Sequence, residues 1–245
     1  MPFPDVERVI YDKNPLAEVF CRVEFDPRLE LNERWPAGFH EGIRDSYPVM
    51  EINPGHDTTT HFPMPTFEFV SKDGFWKVEL NATSVTLRTS NYVRWEDFSS
   101  RISEVLSSVG QEFGIEEFRS LELVYIDVIT RSELGLPNIS WGELISDNIF
   151  IGRPNPIQSP IIYRHYGMVV EIDEISIGLS TALRLNEEES EEEFVVRTTF
   201  ASGSLTLSEV LYARLEKAHS YSGKTFRWCI SNTLHEALCP QPDGE

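Results

Sequence analysis

The 245-residue sequence predicts an α+β fold in which two antiparallel meander sheets are each followed by packed helices. Two kinds of pattern carry this prediction. Residues 76–80 alternate apolar and polar side chains, as half-buried strands do, whereas residues 95–113 repeat apolar side chains at steps of three and four, as amphipathic helices do. The order of strands and then helix occurs twice, which indicates an architectural duplication without visible sequence repetition.

The first four strands are predicted at residues 17–25, 66–71, 75–80 and 84–89. Asp73-Gly74 supplies the positive φ angles that a tight hairpin turn needs. A helix over residues 95–113 follows and ends at Gly114, and residues 121–129, rich in Val, Ile and Tyr, return as another strand.

Glycine- and proline-rich stretches place the boundaries. We expect an N-terminal half at 1–134, a connecting segment with a short helix at 135–160, and a C-terminal half at 161–245. In the last of these, residues 168–172, 175–185 and 194–200 alternate as strands. A capping-box spacing at Thr206 to Glu209 predicts a helix over 207–218, and a break at Gly223 precedes a second helix that ends before Pro240.

The charge balance narrows the classes of partner. Twenty-one basic against forty acidic residues leave a net charge of −19, which repels nucleic acid and attracts a basic protein; a merely very soluble protein carries the same excess. Cys21, Cys229 and Cys239 lack the spacing of a disulfide framework or a zinc site. With no signal peptide and no apolar run long enough to cross a bilayer, the sequence predicts a cytoplasmic protein with no membrane partner.

The most polarised segment is the acidic tract, residues 187–193, which joins two predicted strands. One hypothesis is a partner-binding site for a basic protein. The other is a solvated hairpin tip whose charge prevents edge aggregation. The candidate partner-binding residues are Glu187, Glu188, Glu189, Glu191, Glu192 and Glu193.

No constellation in the sequence predicts catalysis, a metal or a cofactor. His56, Asp57 and His61 could bind a divalent cation. They lie in a glycine- and proline-rich loop that gives them no fixed orientation, so the favoured interpretation is a pair of solvated loop histidines. His219 and His235 are read as core or surface histidines. Cys229 lies between Trp228 and Ile230, which favours structural burial over nucleophilic catalysis.

Three stretches resemble a sporadically distributed prokaryotic family of similar length that has no assigned function and is encountered near toxin–antitoxin and phage-defence genes. They are residues 11–25, which hold an Asn-Pro, a Glu-Val and a cysteine-containing strand, residues 76–98, which pass from sheet to helix, and residues 123–129. In the third stretch Val124 and Asp127 stand where the family tends to show Arg and Asn. The resemblance implies a full-length fold and an association with bacterial conflict systems, and it supplies no chemistry.

The favoured function is a non-catalytic acidic interaction protein, an antitoxin-like, immunity-like or phage-defence partner that acts by protein–protein binding. The alternative is an RNA- or nucleotide-binding or processing module with a cleft between the two halves, for which Tyr163, Arg164 and His165 are the candidates. A sensor or scaffold that binds a small ligand is the third hypothesis.

Overall fold

The computed structural model describes residues 3, 6–55, 64–149, 163–186, 191–207 and 209–242. The chain divides into two compact units, each made of separate stretches of sequence. Unit 1 comprises Met1–Ala17, Tyr125–Thr199 and Lys217–Glu245, and unit 2 comprises Glu18–Val124 and Phe200–Glu216. The predicted connecting segment is described up to residue 149, and residues 150–160 lie outside the described residues.

The strands are β1 (Val9–Tyr11), β2 (Leu16–Glu24), β3 (Val49–Asn53), β4 (Thr66–Val70), β5 (Trp76–Leu80), β6 (Ser84–Thr89), β7 (Glu117–Phe118), β8 (Ser120–Thr130), β9 (Tyr163–Ile172), β10 (Ile175–Asn186), β11 (Glu191–Ser202), β12 (Leu205–Thr206) and β13 (Pro240–Pro242). The helices are α1 (Ala37–Ile43), α2 (Trp95–Phe113), α3 (Trp141–Leu144), α4 (Glu209–Cys229) and α5 (Asn232–Ala237), and a 3-10 helix covers Leu29–Asn32.

Nine strands form one large sheet in the order β3-β4-β5-β6-β2-β8-β11-β10-β9, and β1-β13 and β12-β7 form two small ones. The predicted α+β class is therefore confirmed. The prediction of two separate meander sheets is not confirmed, because strands of both predicted meanders belong to the nine-stranded sheet. The non-consecutive neighbours β2, β8 and β11 make long-range pairings that alternation along the sequence does not reveal.

The meander β4-β5-β6 of unit 2 follows the predicted pattern closely. Gly74 has a φ of 78°, and the Asp73 carboxylate accepts a hydrogen bond from the Phe75 amide at 3.0 Å, which together close the turn between β4 and β5. Trp76, Val78 and Leu80 are buried on one face. The register sets Val78 against Leu87 and Leu80 against Val85, so apolar side chains meet across the strands.

The helix α2 contributes the largest apolar stripe of unit 2. Phe98, Ile102 and Val109 are completely buried, and Gly114 ends the helix with the left-handed φ of 61° that glycine adopts without strain. The helix α1 packs on α2 at Gly42, where a methyl group would lie 2.8 Å from Ser108 Oγ. Glycine at this position lets the two backbones approach closely.

In unit 1, β9 and β10 form a hairpin whose turn residues, Asp173 and Glu174, have φ values of 51° and 66°. Positive φ at both central positions is the geometry of a two-residue hairpin turn. Tyr221 Oη and Lys217 Nζ lie 2.7 and 3.1 Å from Asp173 Oδ2, so α4 holds this turn.

The helix α4 differs from the prediction at both ends of its range. It begins at Glu209 rather than Leu207, because Leu205 and Thr206 pair with β7 as the strand β12. It also continues through Gly223, where a break was predicted, so that prediction is wrong. A glycine inside a helix costs about 1 kcal/mol, which the burial of Tyr221, Thr225 and Phe226 on the same helix offsets.

Within the described part of the chain, none of the helices combines the length and the apolar character that crossing a bilayer requires.

Candidate functional site

The acidic tract that was predicted to bind a partner leads into β11 in unit 1. Glu187, Glu188 and Glu189 lie outside the described residues. Glu191, Glu192 and Glu193 form the first three residues of the strand. Each of these three carboxylates contacts side chains of its own unit.

Glu193 is the most buried of the three, with a side chain that is 9% exposed. Its carboxylate accepts a hydrogen bond from Arg184 Nε at 2.9 Å and another from Asn186 Nδ2 at 2.7 Å. Both partners lie on β10, the neighbour of β11 in the sheet. Pairing and hydrogen bonding are what make burial of a charge tolerable, so this contact joins the two strands at their acidic end.

Glu192 belongs to a second set of contacts. Its Oε2 atom lies 3.2 Å from Arg131 Nη2 and accepts a hydrogen bond from Trp141 Nε1 at 3.1 Å. The guanidinium of Arg131 also lies over the Trp141 ring, 4.8 Å from its centroid, and donates to the Ile139 carbonyl at 2.9 Å. One carboxylate thus holds an arginine, an indole and the turn that follows β8 in a fixed arrangement.

Glu191 completes the arrangement by accepting hydrogen bonds from the backbone amide of Ser132, at 3.0 Å, and from its hydroxyl. The second half of the tract therefore serves a structural purpose within unit 1. A basic partner that docked on these three glutamates would compete with Arg131 and Arg184 for them. The prediction of a partner-binding site on the tract stays a prediction.

A second feature of unit 1 is a buried carboxyl group on β8. Asp127 is 4% exposed and lies on the same face of the strand as Tyr125 and Ile129, which are also buried. Within the described part of the chain, no residue hydrogen-bonds or pairs with its carboxyl group. Burial alone raises the pKa of Asp127 to about 8, so the group is largely protonated at neutral pH.

Asp127 has two titratable neighbours in unit 1, Tyr11 and Cys229. Burial raises the pKa of Tyr11 to about 12; the Arg227 charge opposes this rise and the Asp127 charge adds to it. Burial likewise raises the pKa of the Cys229 thiol, again with a contribution from Asp127. Because ionisation of any one group disfavours ionisation of the others, the cluster is stable as a set of neutral groups.

The two C-terminal histidines each bond to a tyrosine. His235 Nδ1 lies 2.8 Å from Tyr11 Oη, and His219 Nδ1 lies 2.9 Å from Tyr125 Oη. Burial lowers the pKa of His235, and the nearby Arg227 charge lowers it further. Both histidines therefore occupy fixed positions in unit 1, as the reading of core or surface histidines predicts.

The three cysteines are unpaired, and Cys21 and Cys229 are buried. Burial raises the pKa of both buried thiols, which keeps them protonated at neutral pH. The thiolate is the reactive form of cysteine, so neither group is activated for nucleophilic attack.

The remaining candidates from the sequence lie only partly within the described residues. His56, Asp57 and His61 lie outside the described residues. His165 Nε2 lies 2.7 Å from Ser180 Oγ, on the adjacent strand. Among the residues that the structure describes, there is no group of three or more His, Cys, Asp or Glu side chains that could hold a metal ion.

Unit 2 has a groove of about 590 Å³, lined among others by Arg28, Glu116, Glu117 and Arg119. The Arg28 Nε atom is buried there without a hydrogen-bond partner, and Arg119 pairs with Asp26. Arginine and glutamate side chains share the same walls, which gives the groove no net preference for an anion.

Asp127 is a strongly perturbed group that the sequence did not identify as a candidate site residue. The sequence does contain a signal for this buried carboxyl group. Along the strand, every second residue belongs to one apolar row in which Asp127 is the acidic member: Leu121, Leu123, Tyr125, Asp127 and Ile129. Asp127 is also the residue that stands where the resembled family tends to show Asn.

No protein-family model matches the chain, and no curated protein matches it. The resemblance to the prokaryotic family therefore stays an expectation based on the three stretches that carry it.

Proposed function

We propose that this chain is a non-catalytic acidic interaction protein of the cytoplasm that binds a basic protein, in an antitoxin-like, immunity-like or phage-defence role. The observation that carries the proposal is the way the chain uses its charges. The sequence has nearly twice as many acidic as basic residues, and at least nine of the basic residues are held in ion pairs with its own carboxylates.

These ion pairs are distributed over both units. Arg88 contacts Glu18 and Glu79 in unit 2, for example, and Arg184 contacts Glu193 in unit 1. A cation held by a carboxylate is less available to a phosphate group, so the pairs weaken any affinity for nucleic acid. The excess carboxylates produce a negative potential that accelerates and orients the approach of a basic protein.

The buried titratable groups favour a binding role over catalysis. The thiols of Cys21 and Cys229 have raised pKa values, and the neutral forms of Asp127 and Tyr11 are the stable ones at neutral pH. Protonated thiols and a hydroxyl with a pKa of about 12 are poor nucleophiles. Cys21 contributes to the core of unit 2 and the other three groups to that of unit 1, and binding is assigned to the charged surface.

The test is co-purification of the tagged chain with the products of its neighbouring genes. Complexes form at about 50 mM salt and are washed at about 500 mM, where charge–charge attraction is strongly screened. The expected result is a stoichiometric protein of basic isoelectric point that is released by the high-salt wash. Recovery of a partner that resists this wash, or of no protein partner, contradicts the proposal.

The same preparation tests the alternative function, an RNA- or nucleotide-handling module. Bound RNA in the low-salt fraction, or a rise in melting temperature with added nucleotides, would favour that alternative, because a ligand that binds only the folded state stabilises it. The binding proposal predicts neither result.

A further inference from the structure

The strand β9 lies at one end of the nine-stranded sheet and pairs with β10 alone among the described strands. The pairing runs without interruption over ten positions, from Ile172 opposite Ile175 to Tyr163 opposite Arg184. Natural sheets protect their edges with short strands, lysines, prolines or bulges. β9 lacks most of these: it is ten residues long, its sequence holds no Lys or Pro, and its pairing holds no bulge, while its two charged residues, Arg164 and Glu171, lie near its ends.

The two faces of β9 differ in burial. Tyr166 and Met168 are partly buried and pack on the apolar core of unit 1. His165, Val169 and Glu171 point to the other face and are exposed, and the Val169 side chain is 69% exposed. An exposed β-branched residue in the middle of an unprotected strand favours addition of another strand.

Symmetry restricts how a second copy of β9 can pair with the first. In an antiparallel pair the residues directly opposite each other point to the same face. A two-fold axis perpendicular to the sheet leaves every side chain on its own face of the sheet. Opposite residues must therefore both be even-numbered or both be odd-numbered. An axis through Met168 satisfies this condition.

With the axis at Met168, β9 is complementary to itself. On the inner face Tyr166 of one copy lies opposite Val170 of the other, an aromatic and β-branched pair of the kind that stabilises sheets. On the outer face His165, whose Nε2 atom lies 2.7 Å from Ser180 Oγ of β10, lies opposite Glu171, and both pairs occur twice by symmetry. Val169 lies opposite Gly167, over which the His165 ring of that same strand lies, so Val169 would contact this ring in the dimer.

We propose that two copies of this chain associate through β9, antiparallel and centred on Met168, to extend the sheet across the dimer. The His165–Glu171 pairs select this register over its neighbours. A shift of the axis to Gly167 or Val169 places Glu171 opposite Tyr163 or Gly167, and neither offers an imidazole to the carboxylate. The dimer is independent of the proposed binding of a basic protein.

The test is the dissociation constant of self-association, measured by sedimentation velocity on the full chain. His165→Glu sets two carboxylates opposite each other, and Glu171→Lys removes the acidic partner; each is expected to raise the dissociation constant about 10-fold, which is about 1.4 kcal/mol. The double variant restores an opposite-charge pair and is expected to return to within about 3-fold of the original value.

Val169→Lys is a second probe that leaves folding unaffected, because the side chain is exposed. It places a charge in the middle of the strand and should abolish the dimer while the melting temperature of the monomer is unchanged. A dimer that survives Val169→Lys, or a double variant no better than either single variant, overturns the proposal.

Hydrogen exchange distinguishes a second copy from coverage of β9 by the chain itself. The proposal predicts that the β9 amides that do not bond to β10 become protected as the protein concentration rises. Protection that is complete in the monomer contradicts it.

Salt dependence gives an independent check. Each copy carries a charge of −19, so the affinity of the dimer should rise with salt concentration, whereas the affinity for a basic protein should fall.

Discussion

The buried faces of the two units are built from different kinds of residue. In unit 2 the buried row of β2 is Val19, Cys21 and Val23, and it lies against the apolar residues of β6. In unit 1 the buried row of β8 includes Asp127, a carboxyl group without a partner among the described residues. The acidic tract and β9 also belong to unit 1. Both units therefore contain polar groups that are costly to bury: Asp127 in unit 1, and atoms such as Arg28 Nε and Asn32 Oδ1 in unit 2. Asp127 differs from these in being a carboxyl group on a row of otherwise apolar and aromatic side chains.

The largest effect is expected from a cavity in unit 2. Phe98 is completely buried and contacts the rings of Trp76 and Trp95. Phe98→Ala removes these contacts and should lower the free energy of unfolding by about 3–5 kcal/mol, measured by urea denaturation. Val93→Ala is the control, since Val93 is exposed and its truncation should change stability by less than about 0.5 kcal/mol. Equal losses from the two variants would contradict the assigned core.

The next effect is a pH dependence that arises from Asp127. Its pKa is 3.8 in an exposed setting and about 8 in the folded chain, so the folded state holds a proton that the unfolded state releases between these values. The free energy of unfolding therefore falls as pH rises from about 4 to about 8, by at most about 1.4 kcal/mol per pH unit. Asp127→Asn should remove this slope, so the variant is more stable than the original protein at pH 8 and similar to it at pH 4.

Asp73→Asn in unit 2 is the matched comparison for Asp127. A hydrogen bond from Ser71 and another from the Phe75 amide lower the pKa of Asp73, so the carboxylate stabilises the fold at neutral pH and this stabilisation is lost in acid. The Asn variant should be destabilised at pH 7, and this loss should become smaller as pH falls below the ordinary pKa of 3.8. If both variants shift stability in the same direction at pH 8, Asp127 does not have the buried, unpaired setting described above.

A smaller effect is expected from the two tyrosine–histidine pairs of unit 1. Tyr11→Phe and Tyr125→Phe each remove one hydrogen bond to a histidine Nδ1 atom while the ring stays in place. Each should cost about 1 kcal/mol in urea denaturation. NMR titration provides the control, because Tyr11→Phe should move the His235 resonance and leave that of His219 unchanged. Movement of both resonances would mean that the two tyrosine–histidine pairs are coupled to each other.

The elements that the sequence predicts well are those whose pattern is local. Alternation is enough to locate β4, β5 and β6, and the three- and four-residue spacing is enough to locate α2 to the residue. The predicted strands at 168–172 and 175–185 leave Asp173 and Glu174 between them, but the positive φ values of these two residues were not predicted, because non-glycine residues with positive φ leave no clear mark in a sequence. The helix α4 continues through Gly223 because residues on either side of the glycine are buried. Local helix propensity does not account for such tertiary packing.

The candidate site was predictable only in part. A run of glutamates is visible in the sequence, but the contacts of its individual residues are not. Glu193 is buried against Arg184, and Glu192 contacts Arg131 and Trp141. Those partners are eight or more residues away along the chain and meet the tract only when β8, β10 and β11 pair. Contacts between distant strands have no signature in a single sequence.

The central claim, binding of a basic protein with the acidic tract as its predicted docking site, is tested most directly by two variants with the same change in charge. One replaces Glu187, Glu188 and Glu189 with Gln; the other replaces Glu30, Glu33 and Glu51, which are exposed in unit 2. The affinity of each for the co-purified basic partner is measured by calorimetry at about 50 mM salt. We predict that the first variant binds at least about 10-fold more weakly and that the second stays within about 2-fold of the original protein. Equal weakening by both variants, or no weakening by the first, would contradict the claim.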